Sequence, residues 1–177
     1  MCLKLQLDPS ANKSQLWIDH PKYPVPGHKF TGYYFTYPSE EQPLGLVSTI
    51  ADDPPMLNWI FVDKDTGLFR HGGRKDTLGG HIVGPWYWSE DEQWLTLKGH
   101  ESCFVAIQLE NKNWAIGCDG YDRFTSGLCR GSTGNEQSEG ETDVFMSLSS
   151  RPKKWVPIRL RRRMQLGMES RYVKEES

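Results

Sequence analysis

Six short runs rich in aromatic and β-branched residues follow one another between residues 57 and 120, and three polar turns join them in pairs. LNWIFVD and LFRHG flank KDTG; HIVGPWYWS and WLTLKG flank EDEQ; CFVAIQL and WAIGCDG flank ENKN. Runs of this length and composition favour strands, and short polar connections return the chain on itself as hairpins. In KDTG, Gly67 closes the turn where a positive φ costs least. Three successive hairpins predict an all-β, mostly antiparallel meander. Strands are expected near 58–62, 68–71, 82–88, 94–98, 103–109 and 113–118, paired in order, with helix a small minority.

Alternation within the runs says how the sheet is covered. Neighbouring residues of a strand face opposite sides. Taken run by run, Trp59, Phe61, Trp86, Trp88, Trp94, Phe104 and Trp114 fall on one parity of their own strands, and Ile60, Val62, Tyr87, Leu95, Leu97, Val105 and Ile107 on the other. Both parities are apolar, whereas a sheet with one wet face alternates apolar with polar. The expectation is a small rolled sheet or barrel-like domain, or a sheet covered in a homodimer. Seven Trp, seven Tyr and seven Phe in 177 residues fill such an interior with few side chains, since each large ring buries roughly 150–250 Å².

The flanks differ from the centre. Residues 1–29 carry Pro21, Pro24 and Pro26 and read as an irregular N-terminal arm. Residues 30–163 read as a single β domain, with further strands at FTGYYFTY, LVSTI, VFMSLSS and WVPIRLRRR. Pro157 argues for an edge strand in the last of these. Within the domain, 131–143 (GSTGNEQSEGETD) has four acidic and no apolar residues and reads as a mobile loop. Residues 164–177 read as a C-terminal tail. Charge is uneven: 151–177 holds nine Lys/Arg against three Glu, a balance of +6, within a chain of net charge −2. The acidic remainder argues against nucleic acid as partner. Arg159 and Arg161 read as the solvent face of an edge strand that discourages aggregation.

Cys2, Cys103, Cys118 and Cys129 form no CxxC pair and no zinc spacing. The first residues lack an apolar stretch of signal-peptide length, and no run of ~18 apolar residues is present for a membrane span. Free thiols and a cytoplasmic location are expected, with nuclear entry through the basic stretch 151–163 as the alternative.

The central run resembles a group of small proteins of ascomycete fungi. NWIFVDKDTGLFRHGGR, GPWYW, LTLKGHESCFVAI and WAIGCDG match that group's W-I-x-V-D-K-D-T, G-P-W, L-T-x-x-G and F-V-A over roughly residues 57–120. Ile116-Gly117-Cys118-Asp119 departs from the group's usual ending. The resemblance implies a fungal origin and carries no activity with it.

Candidate chemistry is sparse. Asp63-Lys64-Asp65-Thr66-Gly67 opens like a calcium loop, but its twelfth position is Arg74 rather than a bidentate Glu. His71, His81 and His100, with Asp63, are the candidate acid–base residues, because imidazole titrates near neutrality. Their spacing matches no metal pattern, so no metal and no cofactor is expected. The Gly-rich GGRKDTLGG joins two strands and opens no phosphate-binding helix. Cys103 and Cys118 read as buried structural thiols.

Trp86, Trp88, Trp94, Trp114 and Phe104 are the candidate ligand-binding residues, as rings lining an incompletely filled barrel. The leading function read from the sequence is thus a binding module for an apolar small molecule or a protein partner. The alternative is a cofactor-independent enzyme of fungal secondary metabolism that uses a pocket His. A filled core would favour a purely structural or interaction role.

Overall fold

A computed structural model describes residues 2–8, 13–22, 24–119 and 154–163. The described strands are β1 (Cys2–Asp8), β2 (Lys13–Asp19), β3 (His28–Lys29), β4 (Gly32–Thr36), β5 (Leu44–Asp52), β6 (Pro55–Val62), β7 (Phe69–Gly72), β8 (Trp86–Trp88), β9 (Leu95–Leu97), β10 (Phe104–Gln108), β11 (Trp114–Cys118) and β12 (Lys154–Ile158). The only helical element among these residues is one 3₁₀ turn, Arg74–Thr77. Every strand pair is antiparallel. The all-β, antiparallel expectation therefore stands.

The three central hairpins form where the turns place them: β6 with β7, β8 with β9 and β10 with β11. Their assembly does not follow the meander. The main sheet runs β12-β10-β11-β2-β7-β6-β5-β4, with β1 beside β2 and β3 beside β1, while β8 and β9 form a separate two-stranded sheet. In-order pairing fails at each junction between hairpins. Turn residues dictate which strands fold back on each other locally. They carry no information about which hairpin edges meet.

The same limit explains the N-terminal arm. Its residues contribute β1, β2 and β3, and β2 lies inside the sheet between β11 and β7, pairing Trp17 with Ala115 and Gln15 with Arg70. All three prolines follow β2, so nothing bars Lys13–Asp19 from a ladder. Beside the local β1–β2 hairpin, its partners β7 and β11 are more than fifty residues away and leave no local trace.

The sheet is covered on both faces at its centre. Leu16 and Ile116 point into the larger core, with Leu46, Ile60, Val62, Phe69, Trp86, Leu95, Leu97 and Phe104. Their strand neighbours Trp17 and Ala115 point the other way and pack with Val25, Leu68 and Leu109. Burial spreads over both parities of β7, β9, β10 and β11 and fades at the outer strands β4 and β12. Pro157, on β12, sits at the end of the sheet order, where a residue without an N–H is tolerated. The 131–143 loop, the expected strand at VFMSLSS and the 164–177 tail lie outside the described residues.

Candidate functional site

The candidate rings divide. Trp86 (1 % exposed) and Phe104 (0 %) are core. They stack at 6.5 Å with 14° between planes, and Phe69 lies 5.7 Å from each. The indole N–H of Trp86 donates to the Val83 carbonyl at 3.0 Å, so the buried ring leaves no polar atom unpaired. The gap enclosed by Leu3, Leu16, Phe30, Phe69, Trp86 and their neighbours has a volume of about 10 Å³. A single water needs roughly that much space. No small molecule fits there without moving the core.

Trp88, Trp94 and Trp114 are half-buried, and only Trp88 packs against this core. The candidate rings thus occupy different surroundings: Trp86 and Phe104 lie in the core, Trp88 at its edge, and Trp94 and Trp114 outside it. Trp94 and Trp114 are the first residues after polar turns, where the ladder is just beginning.

The acid–base candidates are dispersed. Asp63 closes the KDTG turn: its Oδ1 accepts the N–H groups of Asp65 (2.9 Å) and Thr66 (3.1 Å), and its Oδ2 lies 2.7 Å from Arg70 Nε. Burial pushes its carboxyl up, but these N–H groups, the Arg70 charge and nearby His81 outweigh it and hold it below the usual carboxylate range. His81 accepts the Lys64 N–H at 3.1 Å and packs against Phe61. His71 is buried one residue further along β7, on the opposite side from Arg70, with its Nδ1 3.0 Å from Asn58 Nδ2. His100 is an exposed turn residue that pairs through its backbone with Leu97. Among the described residues no three His, Cys, Asp or Glu gather as metal ligands. Cys103 and Cys118 are buried free thiols, and contact with Cys103, then burial, push the Cys118 thiol up.

Recognition chemistry collects instead at the tip of the β8–β9 hairpin. The Ser89–Gln93 turn is tightly braced. Ser89 N–H donates to the Trp94 carbonyl, and Glu92 N–H to the Ser89 carbonyl, both at 2.8 Å. The Ser89 hydroxyl and the Gln93 N–H donate to Asp91 and hold its carboxyl below the usual range. Glu92 takes a left-handed backbone, φ 55°.

The segment after β12 docks on this turn. Leu95 N–H donates to the Leu160 carbonyl at 2.8 Å, and Arg162 N–H to the Gln93 carbonyl at 2.7 Å. Docking aligns an arginine row with the half-buried rings. Arg159 lies 5.1 Å above Trp94, and Arg162 lies 5.2 Å above Trp88. Arg162 reaches Glu92 at 3.2 Å, Arg161 the Gln93 amide oxygen at 3.3 Å, and Arg159 reaches Glu101 at 3.5 Å.

An open cleft of about 310 Å³ remains, lined by Glu92, Gln93, Arg161 and Arg162. Behind it, Tyr34 meets Trp88 edge-on at 5.8 Å. The Tyr34 hydroxyl is buried without a hydrogen-bond partner among the described residues. Burial pushes it up to about 12, against the opposing pull of Arg162.

The sequence reading placed Arg159 and Arg161 on a solvent-facing edge and missed the cleft. The signal was an acidic turn, EDEQ, and a basic run, RLRRR, of opposite sign. Their pairing spans about seventy residues and is fixed only by the fold.

Fold and cleft together define a small antiparallel β module with an apolar core and a polar cleft at one hairpin tip. The model of the fungal β-trefoil domain family matches residues 10–165, most of the chain, and the chain belongs to that family. No curated protein and no solved structure matches it. The family agrees with the fungal origin and with a barrel-like all-β domain. Among the described residues no helix is long and apolar enough to cross a membrane.

Proposed function

We propose that this β-trefoil domain is a binding module that engages a protein partner through its outer surface, at the cleft between the β8–β9 turn and residues 159–162. One observation carries the reading: among the described residues the gap in the apolar core has about 10 Å³, whereas the cleft has about 310 Å³ lined by side chains suited to polar recognition. Ligand sites typically begin near ~300 Å³. Of the sequence candidates, Trp88 and Trp94 enter the site as platforms under arginines, and Trp86 and Phe104 serve as core. The enzyme reading has less support, since Asp63 and His81 brace one turn while His71 packs elsewhere.

The test compares interior with surface. An apolar dye such as anilinonaphthalene sulfonate should show no saturable binding to the native domain, and should bind Trp86→Ala once a cavity exists. Saturable binding by the native domain with quenching of Trp86 would return the function to the interior.

A further inference from the structure

Building on the surface-binding reading, we propose that the cleft receives a carboxylate side chain from an acidic peptide segment of the partner, and that Glu92 is its internal stand-in. Arg162 is prepared for such a ligand. Its guanidinium is held over Trp88, and its backbone is tied to Gln93. A guanidinium presents five N–H donors in a planar fork that matches a carboxylate with two parallel bonds. Among the described residues the Arg162 fork has one carboxylate contact, to Glu92 Oε2 at 3.2 Å, and the Glu92 side chain is 75 % exposed. Arg161, the neighbouring wall, meets the neutral Gln93 oxygen and no carboxylate among the described residues. Both cations are thus oriented but weakly engaged.

Exchanging Glu92 for an incoming carboxylate costs little, because an exposed ion pair contributes at most ~1 kcal/mol. The incoming group gains what Glu92 lacks, contact with both the Arg161 and the Arg162 guanidinium that line the cleft. Charge selects the ligand class. Arg161 and Arg162 against Glu92 leave the cleft a balance of +1, which one carboxylate neutralises. A planar carboxylate can pair with a guanidinium fork through two parallel bonds, whereas Glu92 meets Arg162 through Oε2 alone. Glu92 therefore sets a threshold: a partner must displace it, and a weak or singly placed anion does not.

The experiment uses the full chain and a short fluorescein-labelled Glu-rich peptide, read by anisotropy at low and at near-physiological salt. The expected result is binding of this peptide, weakened by salt, with no binding of the matching Gln-rich peptide. Glu92→Gln should bind about fivefold more tightly, the fold-change equivalent to the pair it removes. Arg162→Gln should bind about tenfold more weakly or worse, and Arg161→Gln should weaken binding too. Unchanged circular dichroism and melting temperature show that each variant is folded, and Trp88→Phe provides a second variant that keeps a ring under Arg162. Three results overturn the proposal: Glu92→Gln binds no better than the native chain, both arginine variants bind normally, or inorganic phosphate competes as well as the peptide. If the Glu-rich peptide fails while the native interior still excludes the dye, the carboxylate assignment falls and surface binding stands.

Discussion

Trp86→Ala tests the closed interior directly. The side chain is 1 % exposed, lies against Phe69 and Phe104, and donates its N–H to Val83. A buried indole hides roughly 150–250 Å². At ~25 cal/mol per Å² this corresponds to ~4–6 kcal/mol, an upper figure because unfolded chains already bury part of their apolar surface. Substitutions of this kind in packed cores cost ~3–5 kcal/mol. The gap already beside the ring is only about 10 Å³, so the new void cannot close by small shifts and the loss should approach the top of that range.

Urea unfolding followed by circular dichroism should show the midpoint falling with the slope unchanged, and the melting temperature dropping by roughly 10–15 °C. Trp94→Ala is the internal control. Its ring is half-buried under Arg159, and its loss should cost less than ~2 kcal/mol. The reasoning is refuted if Trp86→Ala costs under ~1.5 kcal/mol, or if the two variants cost the same.

Asp63→Asn should destabilise the fold by up to ~3–5 kcal/mol, because it leaves Arg70 buried without a counter-charge; equilibrium unfolding at neutral pH measures it. The folded-state pKa of Asp63 is depressed, so its stabilisation is present above the unfolded carboxylate value and lost as pH falls below about 4. The difference between wild type and Asp63→Asn should therefore shrink in acid, and a gap that stayed constant to pH 3 would contradict the ion pair. Tyr34 is raised instead, so its contribution is present below the unfolded tyrosine value of about 10 and lost as pH rises towards 12. Ultraviolet difference titration of wild type against Tyr34→Phe should show one late-ionising phenol, and Tyr34→Phe should not lose stability, since it removes a buried hydroxyl that has no partner among the described residues. Gly84→Ala places a Cβ 2.5 Å from the Leu44 carbonyl oxygen, a backbone atom that cannot swing aside. It should cost at least ~1–3 kcal/mol in a thermal melt.

Hairpins were legible because their information is local. KDTG, EDEQ and ENKN each lie between runs of strand composition, and β6–β7, β8–β9 and β10–β11 form there. The position of β2 was not legible, since Lys13–Asp19 looks no different whether Ala115 and Arg70 meet it or water does. The rings show the same division. Trp86 and Trp94 both lie in strand-like runs, and neither run names Phe104 or Arg159 as the distant group its ring will meet. Seven tryptophans announce an aromatic protein. Only long-range pairing decides which become filling and which become platforms.

The cleft is not an ornament added to a finished fold. The β8–β9 hairpin has no ladder to the main sheet. Among the described residues, the backbone hydrogen bonds from its strands and turn to another segment run to residues 160–162. That segment continues β12, which is itself held on β10 by a five-residue ladder from Phe104↔Ile158 to Gln108↔Lys154. The chain that seats the hairpin therefore also delivers Arg159, Arg161 and Arg162 to its tip. Beside the core packing of Trp86, Leu95 and Leu97, the contacts that hold the site together also hold the hairpin down. A ligand that grips Arg161 and Arg162 pulls on the segment that fixes β8–β9, so it should protect the amides of Leu95 and Arg162 from hydrogen exchange more than those of the β6–β7 hairpin. Uniform protection across both hairpins would mean that binding stabilises the domain as a whole, and that this segment has no special part in it.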